Sequence, residues 1–385
     1  MEIAGGGRGS SSDEDQSRET SGAVRQNLVL YIFSKSDPTY EENFLFFVEH
    51  AVMGDTDSDF VILMQQEDSQ GSGNLPGLPA HARYLTHSSA CFDWGTFGWV
   101  ISSGEVDIKR YTYFFLINSS VRGPFMPPTM KGLFQWWEPF VSLLTQRVRL
   151  VGSTISCEAA PLDGDPASKV WRRNPHVQSF ALATDQVGLE VLLGDGNVFS
   201  CHDSVWQTVY HAELGASLAI LDAGFNLGSL MIRYQGVDWS DKRIWGCNAR
   251  VSPTGENHYD GISLDPFEAM FVKVTSSLVT QQSMGAIKAT KYATWMQATR
   301  NQTSAVSFND YLRNANKHRV PKILEKIAHG QECFDAAYYL LKNADLAMFD
   351  TDLDLWKHFV YFGQFEPRQH RYSCAMDYKR FTSIS

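Results

Sequence analysis

The amino-acid sequence predicts an α/β fold built on a mostly parallel sheet, and three observations carry that prediction. Short runs of β-branched and aromatic residues recur along the first 280 residues, and each reads as a buried strand. Segments with helical spacing separate them, the alternation expected of a parallel sheet with crossover helices. Polar turns follow several of the strands, where open α/β sheets bind ligands.

Leu28–Phe33 (LVLYIF) reads as the first strand and ends in Ser34-Lys35-Ser36-Asp37-Pro38. Apolar residues then recur at helical spacing from Asn43 to Val52. Phe60–Met64 is a second strand, Ala82–Leu85 a short third, and Phe92–Ile101 a helix. Tyr113–Ile117 is the fourth strand, followed by Asn118-Ser119-Ser120-Val121-Arg122-Gly123-Pro124. A helix is expected over Trp136–Leu144 and a strand over Arg149–Ile155. Asp163–Asn174 is loop-like and leads into a strand over Pro175–Asp185. A helix over Gln186–Leu193 should close at Gly194, since glycine favours the left-handed cap. Asp203–Asp222 reads as the longest helix, ended by Gly224, with a strand over Leu227–Tyr234 and apolar residues again over Asp265–Val274.

These readings divide the chain into a disordered tail (1–24), a main α/β domain (25–280), a helical connector (281–330) and a small helical module (331–385). The tail is Gly, Ser, Asp, Glu and Gln almost throughout, too polar to offset the entropy of ordering. The C-terminal module shows two short amphipathic helices, Phe334–Leu340 and Leu355–Val360, too short to stand alone.

With 43% hydrophobic and 13% aromatic residues, the chain has ample material for a packed core. Its formal charge of −10 argues against a general electrostatic hold on nucleic acid. No basic-then-apolar leader opens the sequence and no apolar run reaches membrane-spanning length, so a cytoplasmic location without a membrane span is expected. The six cysteines are scattered with no CxxC pair, which favours free buried thiols over zinc or redox sites. Two glycosylation sequons begin at Asn118 and Asn301, the first where a binding crevice is expected.

Several segments together resemble the GT-A-type glycosyltransferases related to rhamnan-synthesis proteins. They are Phe92-Asp93-Trp94-Gly95-Thr96-Phe97-Gly98, Ile117-Asn118-Ser119-Ser120-Val121-Arg122-Gly123-Pro124, Val151-Gly152-Ser153-Thr154-Ile155, Pro175-His176-Val177-Gln178-Ser179 and Tyr210-His211-Ala212-Glu213-Leu214-Gly215. The resemblance spans about residues 28–275. The C-terminal pattern, from Phe334-Asp335 through Trp356 and His358 to Glu366 and Arg368, resembles a small helical repeat found beside bacterial sugar transferases.

The resemblance implies a GT-A-like fold that moves a sugar from a nucleotide-sugar donor to a glycan or other hydroxyl acceptor, protein acceptors included. Glu213 is then the candidate base that takes the acceptor's proton. Its rival is a solvated helical glutamate. Ser34, Asp93, Asn118, Ser119 and Arg122 are the candidate donor-binding residues. Asp93 is placed to hydrogen-bond a ribose or base, or else to cap the helix that starts at Trp94. Metal-dependent relatives carry carboxylates after the fourth strand, because a hard cation needs anionic oxygens. Here Asn118-Ser119-Ser120 and Arg122 stand instead, which favours a metal-free site with Arg122 on the diphosphate. A tight turn is the plain alternative. No cofactor is expected.

His176 and Gln178 fall on one face of a strand and, with Ser179, are candidates for the sugar pocket. A satisfied core histidine is the alternative for His176. His258 reads as a loop histidine and the Trp136-Trp137 pair as core. A second functional class fits the missing acidic motif, a non-catalytic carbohydrate- or protein-binding descendant of the same fold.

Overall fold

A computed structural model describes residues 25–65, 75–87, 91–127, 130, 132–300 and 330–374. The expected N-terminal tail, most of the second half of the connector and the Asn301 sequon lie outside them. The described residues form two compact units, the first ending at Thr294 and the second beginning at Trp295.

The first unit is organised on a seven-stranded sheet. Its strands are β1 Asn27–Phe33, β2 Ser58–Gln65, β3 Ala82–His87, β4 Tyr113–Asn118, β5 Val148–Gly152, β6 Ala181–Asp185 and β7 Asn226–Ser229. Across the sheet they lie in the order β3-β2-β1-β4-β6-β5-β7. All run parallel except β6, which is antiparallel to both neighbours. This is the expected mostly parallel α/β architecture.

Strands covered on both faces should be apolar from end to end, and every residue of β1 is buried. Helix Tyr40–Phe47 lays Phe44 and Phe47 on Tyr31, with ring centroids 5.6 and 4.4 Å apart. Trp136 is buried among Phe47, Phe115 and Phe271 and belongs to the core. From β1 the strand order runs to β2 and β3 on one side, while β4 lies on the other. The β1/β4 boundary is therefore the switch point, and the crevice outside its carboxyl ends is where this architecture binds ligands.

Four local readings change. The stretch 175–185 is two strands, His176–Val177 and β6, separated by a turn that holds Ser179. The stretch 149–155 likewise breaks after Gly152, and Ile155–Ser156 pairs with His176–Val177 in a separate ladder. The strand after Gly224 stops at Ser229, and Ile232–Tyr234 forms a 3₁₀ turn. The helix over Gln186–Gly194 runs through Gly194, and the left-handed residue is Gly196, with φ of 78°. In the first three cases a stretch that reads as one strand conceals a bend, because composition and periodicity do not record where the backbone turns.

The cysteines are the largest correction. All six are paired, as Cys91–Cys201, Cys157–Cys247 and Cys333–Cys374, with Cα–Cα distances of 5.1 to 5.3 Å. The partners are 110, 90 and 41 residues apart, so only the fold brings them together. Closing loops of this size restricts the unfolded chain, an effect of about 2–4 kcal/mol per bridge.

The glycines of the Phe92–Gly98 segment have a packing reason. A Cβ on Gly98 would lie 2.3 Å from the Phe199 carbonyl oxygen, and one on Gly95 3.0 Å from the Cys201 Cα. These glycines, three residues apart on one helix face, let segment 199–201 approach closely enough for the Cys91–Cys201 bridge.

In the second unit, helices Ala336–Lys342 and Asp352–Tyr361 enclose a core of Phe334, Tyr339, Leu346, Leu355 and Phe359. Asp335 caps the first helix by accepting from the Tyr338 N–H at 2.8 Å, and Thr351 caps the second. Arg368 donates to both oxygens of Asp345. So small a core needs a staple, and Cys333–Cys374 supplies one. Among the described residues, no helix is long and apolar enough to cross a membrane.

Candidate functional site

The loops after β1 and β4 are knitted together at the switch point. The Ser34 N–H donates to Ser119 Oγ at 3.2 Å, and the Ser119 N–H to the Ile32 carbonyl at 2.9 Å. Ser119 is therefore buried in the joint between the two loops rather than presented to a ligand. Asn43, buried in helix Tyr40–Phe47, secures the same joint by donating to the carbonyls of Ser119 and Val274, both at 2.9 Å.

Asn118 stands at the carboxyl end of β4. Its amide donates to Asp93 Oδ2 at 2.6 Å, while its Oδ1 accepts from the Ser120 N–H and hydroxyl at 3.1 and 2.6 Å. Asp93 is the first residue of helix Asp93–Ser102, but its side chain does not cap that helix. It turns to Asn118 instead. Burial raises its pKa, against the hydrogen bond from Asn118 and the charge of Lys273. The Asn118 amide is thus committed within the protein.

Glu213 is reached by a different element. The helical stretch from Ser204 runs as one short α-turn, a π-turn over Thr208–Glu213 and an α-helix over Leu214–Asp222. Asn174 donates to the Leu214 carbonyl at 3.1 Å and Ser217 Oγ accepts from the Val177 N–H at 2.9 Å, which fixes this stretch against residues 174–179. Burial raises the pKa of Glu213 above its ordinary 4.5. Lys273 and a hydrogen bond from Ser179 oppose that shift, while the charges of Asp93 and Glu158 add to it. Asp93, Glu213 and Lys273 therefore share one electrostatic neighbourhood, with Asn118 and Ser179 attached to it.

The other expected residues lie elsewhere. Arg122 is 4% exposed, donating from Nη2 to Glu42 and from Nε to Asn43, both at 2.9 Å. That pairing is structural and departs from the expected diphosphate contact. Its cause is the two-residue ladder Val121–Arg122 with Val272–Lys273, which turns the arginine toward helix Tyr40–Phe47. His176 is buried beside the Asn174 carbonyl, and burial pushes its imidazole down to about 4. It is the satisfied core histidine. Gln178 accepts from Thr154 at 2.8 Å and donates to Ser252 at 3.1 Å, so of the three pocket candidates only Ser179 meets Glu213. The bend at 178–180 breaks the strand alternation that placed His176 and Gln178 together. His258 is exposed, with Nδ1 3.0 Å from the Ser252 carbonyl oxygen.

Lys273 and Glu158 were missed. Lys273 lies in Phe271-Val272-Lys273-Val274, whose apolar residues mark a buried segment but say nothing of what its cation faces. A cavity of about 480 Å³ lies apart from this cluster, lined by Gly95, Gly98, Trp99, Phe199 and the Cys91–Cys201 bridge. It gathers no charged groups, so the charge cluster at the strand ends is the better candidate site.

The donor set does not fit a divalent cation. Asn118 points an N–H at Asp93, and an ammonium is already coupled to both carboxylates. Among the described residues, no three His, Cys, Asp or Glu side chains gather as a metal would require.

No protein-family model matches the chain, and no curated protein does. Among solved structures it is similar to the catalytic domain of a Drosophila beta1,4-galactosyltransferase 7, in a complex with xylobiose. Identity is 9%, the match covers 56% of this chain and 66% of that one, just under two thirds, and the TM-score is 0.28. So distant a likeness carries no reading of the site.

Proposed function

We propose that the first unit transfers a sugar from a nucleotide-sugar donor to the hydroxyl of an acceptor, with Glu213 as the base. One observation carries this reading: a desolvated carboxylate of raised pKa is coupled to Lys273 and to Asp93, and Asn118 ties Asp93 to the carboxyl end of β4, beside the β1/β4 switch point. The nucleotide lies outside the carboxyl ends of β1 and β4, against the joined loops Ser34–Ser36 and Asn118–Ser120. Asp93, held by Asn118, accepts from a ribose or base donor. Glu213 takes the acceptor's proton as its oxygen attacks the anomeric carbon. The bond from that carbon to the diphosphate breaks, and its electron pair leaves with the diphosphate. The Lys273 ammonium, rather than Arg122, meets the developing charge. Such a direct displacement inverts the anomeric centre.

A thermal-shift screen of nucleoside diphosphates and nucleotide sugars tests the reading. A ligand at a hundred times its Kd stabilises by about 2.7 kcal/mol. Stabilisation by a nucleotide sugar, removed by Asp93→Ala, supports it. No stabilisation by any nucleotide would remove it and leave the non-catalytic alternative.

The disulfides bear on location. A chain that pairs every cysteine belongs in an oxidising compartment, which replaces the cytoplasmic expectation. In the folded chain the Asn118 amide of the first sequon is engaged by Asp93. Thiol titration of the unreduced, denatured protein should find none; six free thiols would reverse this assignment.

A further inference from the structure

Two large aromatic side chains, Trp206 on the helical stretch that leads to Glu213 and Trp171 on the short ladder beside it, remain on the surface, and neither the core nor the proposed donor site uses them. Trp206 is 48% exposed and Trp171 36%. Trp206 has a built seat. A Cβ on Gly164 would lie 2.4 Å from Cδ1, Cε2 and Cγ of the indole alike. Equal distances to three atoms spread over the ring mean that Gly164 faces the plane of the indole, not its edge. One face of the ring therefore rests on bare backbone, and the exposure belongs to the other. The φ of 70° at Gly164 independently favours glycine, so the seat is fixed by conformation as well as by space.

The surroundings extend this platform toward Glu213. Gly164 ends the turn after Ala160–Pro161, a strand that pairs with Trp171–Arg172. Trp171 is held by its Nε1 donating to the Ser168 carbonyl at 2.8 Å, with the Arg173 guanidinium 5.6 Å from its ring centroid. Arg172 lies over the Tyr210 ring at 4.6 Å, and its Nη1 is 3.1 Å from where a Gly215 Cβ would stand. Tyr210 and Gly215 flank Glu213 in sequence. Arg172, Tyr210 and the exposed Asp163 and Asp165 thus border the Trp206 seat along the helical stretch that carries the candidate base, while Trp171 and Arg173 stand on the other face of the short ladder.

We infer that this seat and its border bind a saccharide, with a pyranose ring stacked on the open face of Trp206. A sugar ring has an apolar C–H face that suits the negative face of an indole, and its hydroxyls suit a rim of arginine and carboxylates. A nucleic-acid strand is the poorer occupant, because Asp163 and Asp165 flank the platform and the chain carries a formal charge of −10. As the acceptor subsite, the seat rests on the transferase reading; as a saccharide site it stands alone.

The test is binding of the full chain to an array of immobilised oligosaccharides of xylose, glucose, galactose, mannose, N-acetylhexosamine and uronic acids, without donor. Wild type should bind at least one of them, Trp206→Ala should bind it about tenfold or more weakly, and Trp206→Phe should keep part of the affinity. Equal melting temperatures would show that the exposed substitutions leave the fold intact. No saccharide bound by wild type, or an unchanged affinity in Trp206→Ala, overturns the inference. Saccharide binding that depends on Trp206 in a protein that binds no nucleotide would remove the transferase reading and leave this one standing.

Discussion

Two cations on one ladder meet opposite fates. Val121–Arg122 pairs antiparallel with Val272–Lys273, so that Arg122 lies opposite Val272 and Lys273 opposite Val121. Alternation sends the two cations to opposite faces of the ladder. Arg122 enters the interior, where its Nη2 pairs with Glu42 and its Nε donates to Asn43. Lys273 stays half-buried beside two carboxylates whose pKa values are both raised. A buried charge paired within the protein is committed to the fold; charges held in partial conflict are available for chemistry.

The comparison breaks most sharply at Glu213. Glu213→Gln keeps the volume and removes the base, so turnover should fall about 10²–10⁴-fold while donor affinity stays near wild type. Steady-state kinetics with a donor found in the thermal-shift screen decide it, and near-normal turnover would take Glu213 out of the base role. Arg122→Ala should behave in the reverse sense. It empties a buried site and leaves Asn43 Oδ1 without its donor, a loss of about 2–4 kcal/mol in stability. Donor affinity per folded molecule should not change. Urea denaturation and a binding titration at low temperature separate the two effects, and a stable variant with weakened donor binding would return Arg122 to the phosphate site.

The two clusters also show what the sequence discloses and what it hides. β1 and β4 were legible because strands covered on both faces must be apolar throughout, and Asn118 was legible because a polar turn after such a strand falls in the crevice. Asp93 and Glu213 were singled out one at a time, but nothing in the one-dimensional pattern says that they share a neighbourhood with Lys273, which is 60 residues or more away from each. Arg122 misled for the same reason. A lone arginine after a strand looks available for a phosphate until helix Tyr40–Phe47 is folded over it. The cysteines misled most, since their pairing is wholly non-local.

Lys273→Met should sharpen the contrast. The methionine keeps the length of the stem and loses the charge that lowers both Asp93 and Glu213. Donor affinity should fall by roughly tenfold, the scale of one charge-assisted contact. The acid limb of the turnover profile should move to higher pH, because only the hydrogen bond from Ser179 is then left to oppose burial and the neighbouring carboxylates at Glu213. A limb that stays in place would mean that Lys273 does not face the cluster in solution.

The smallest effect is a stability slope, and it tests the raised pKa of Glu213 without any substrate. Burial is its main cause, so the native state holds the Glu213 proton more tightly than the unfolded chain does. Above the ordinary value of 4.5, and up to the raised native value, the native state binds more protons than the unfolded state. Stability contributed by this group is therefore fully present below the unfolded pKa and is lost as pH rises through the native one, with a slope of at most about 1.4 kcal/mol per pH unit. Glu213→Gln has no proton to lose. The difference in unfolding free energy, wild type minus variant, should fall with pH across that window and level off above it. Denaturation series at half-unit steps from pH 4 to 8 measure it, and the subtraction cancels every other titrating group that the substitution leaves undisturbed. A difference that is flat across the range would mean that Glu213 is solvated like any surface glutamate, and the contrast between the two faces of the ladder would collapse.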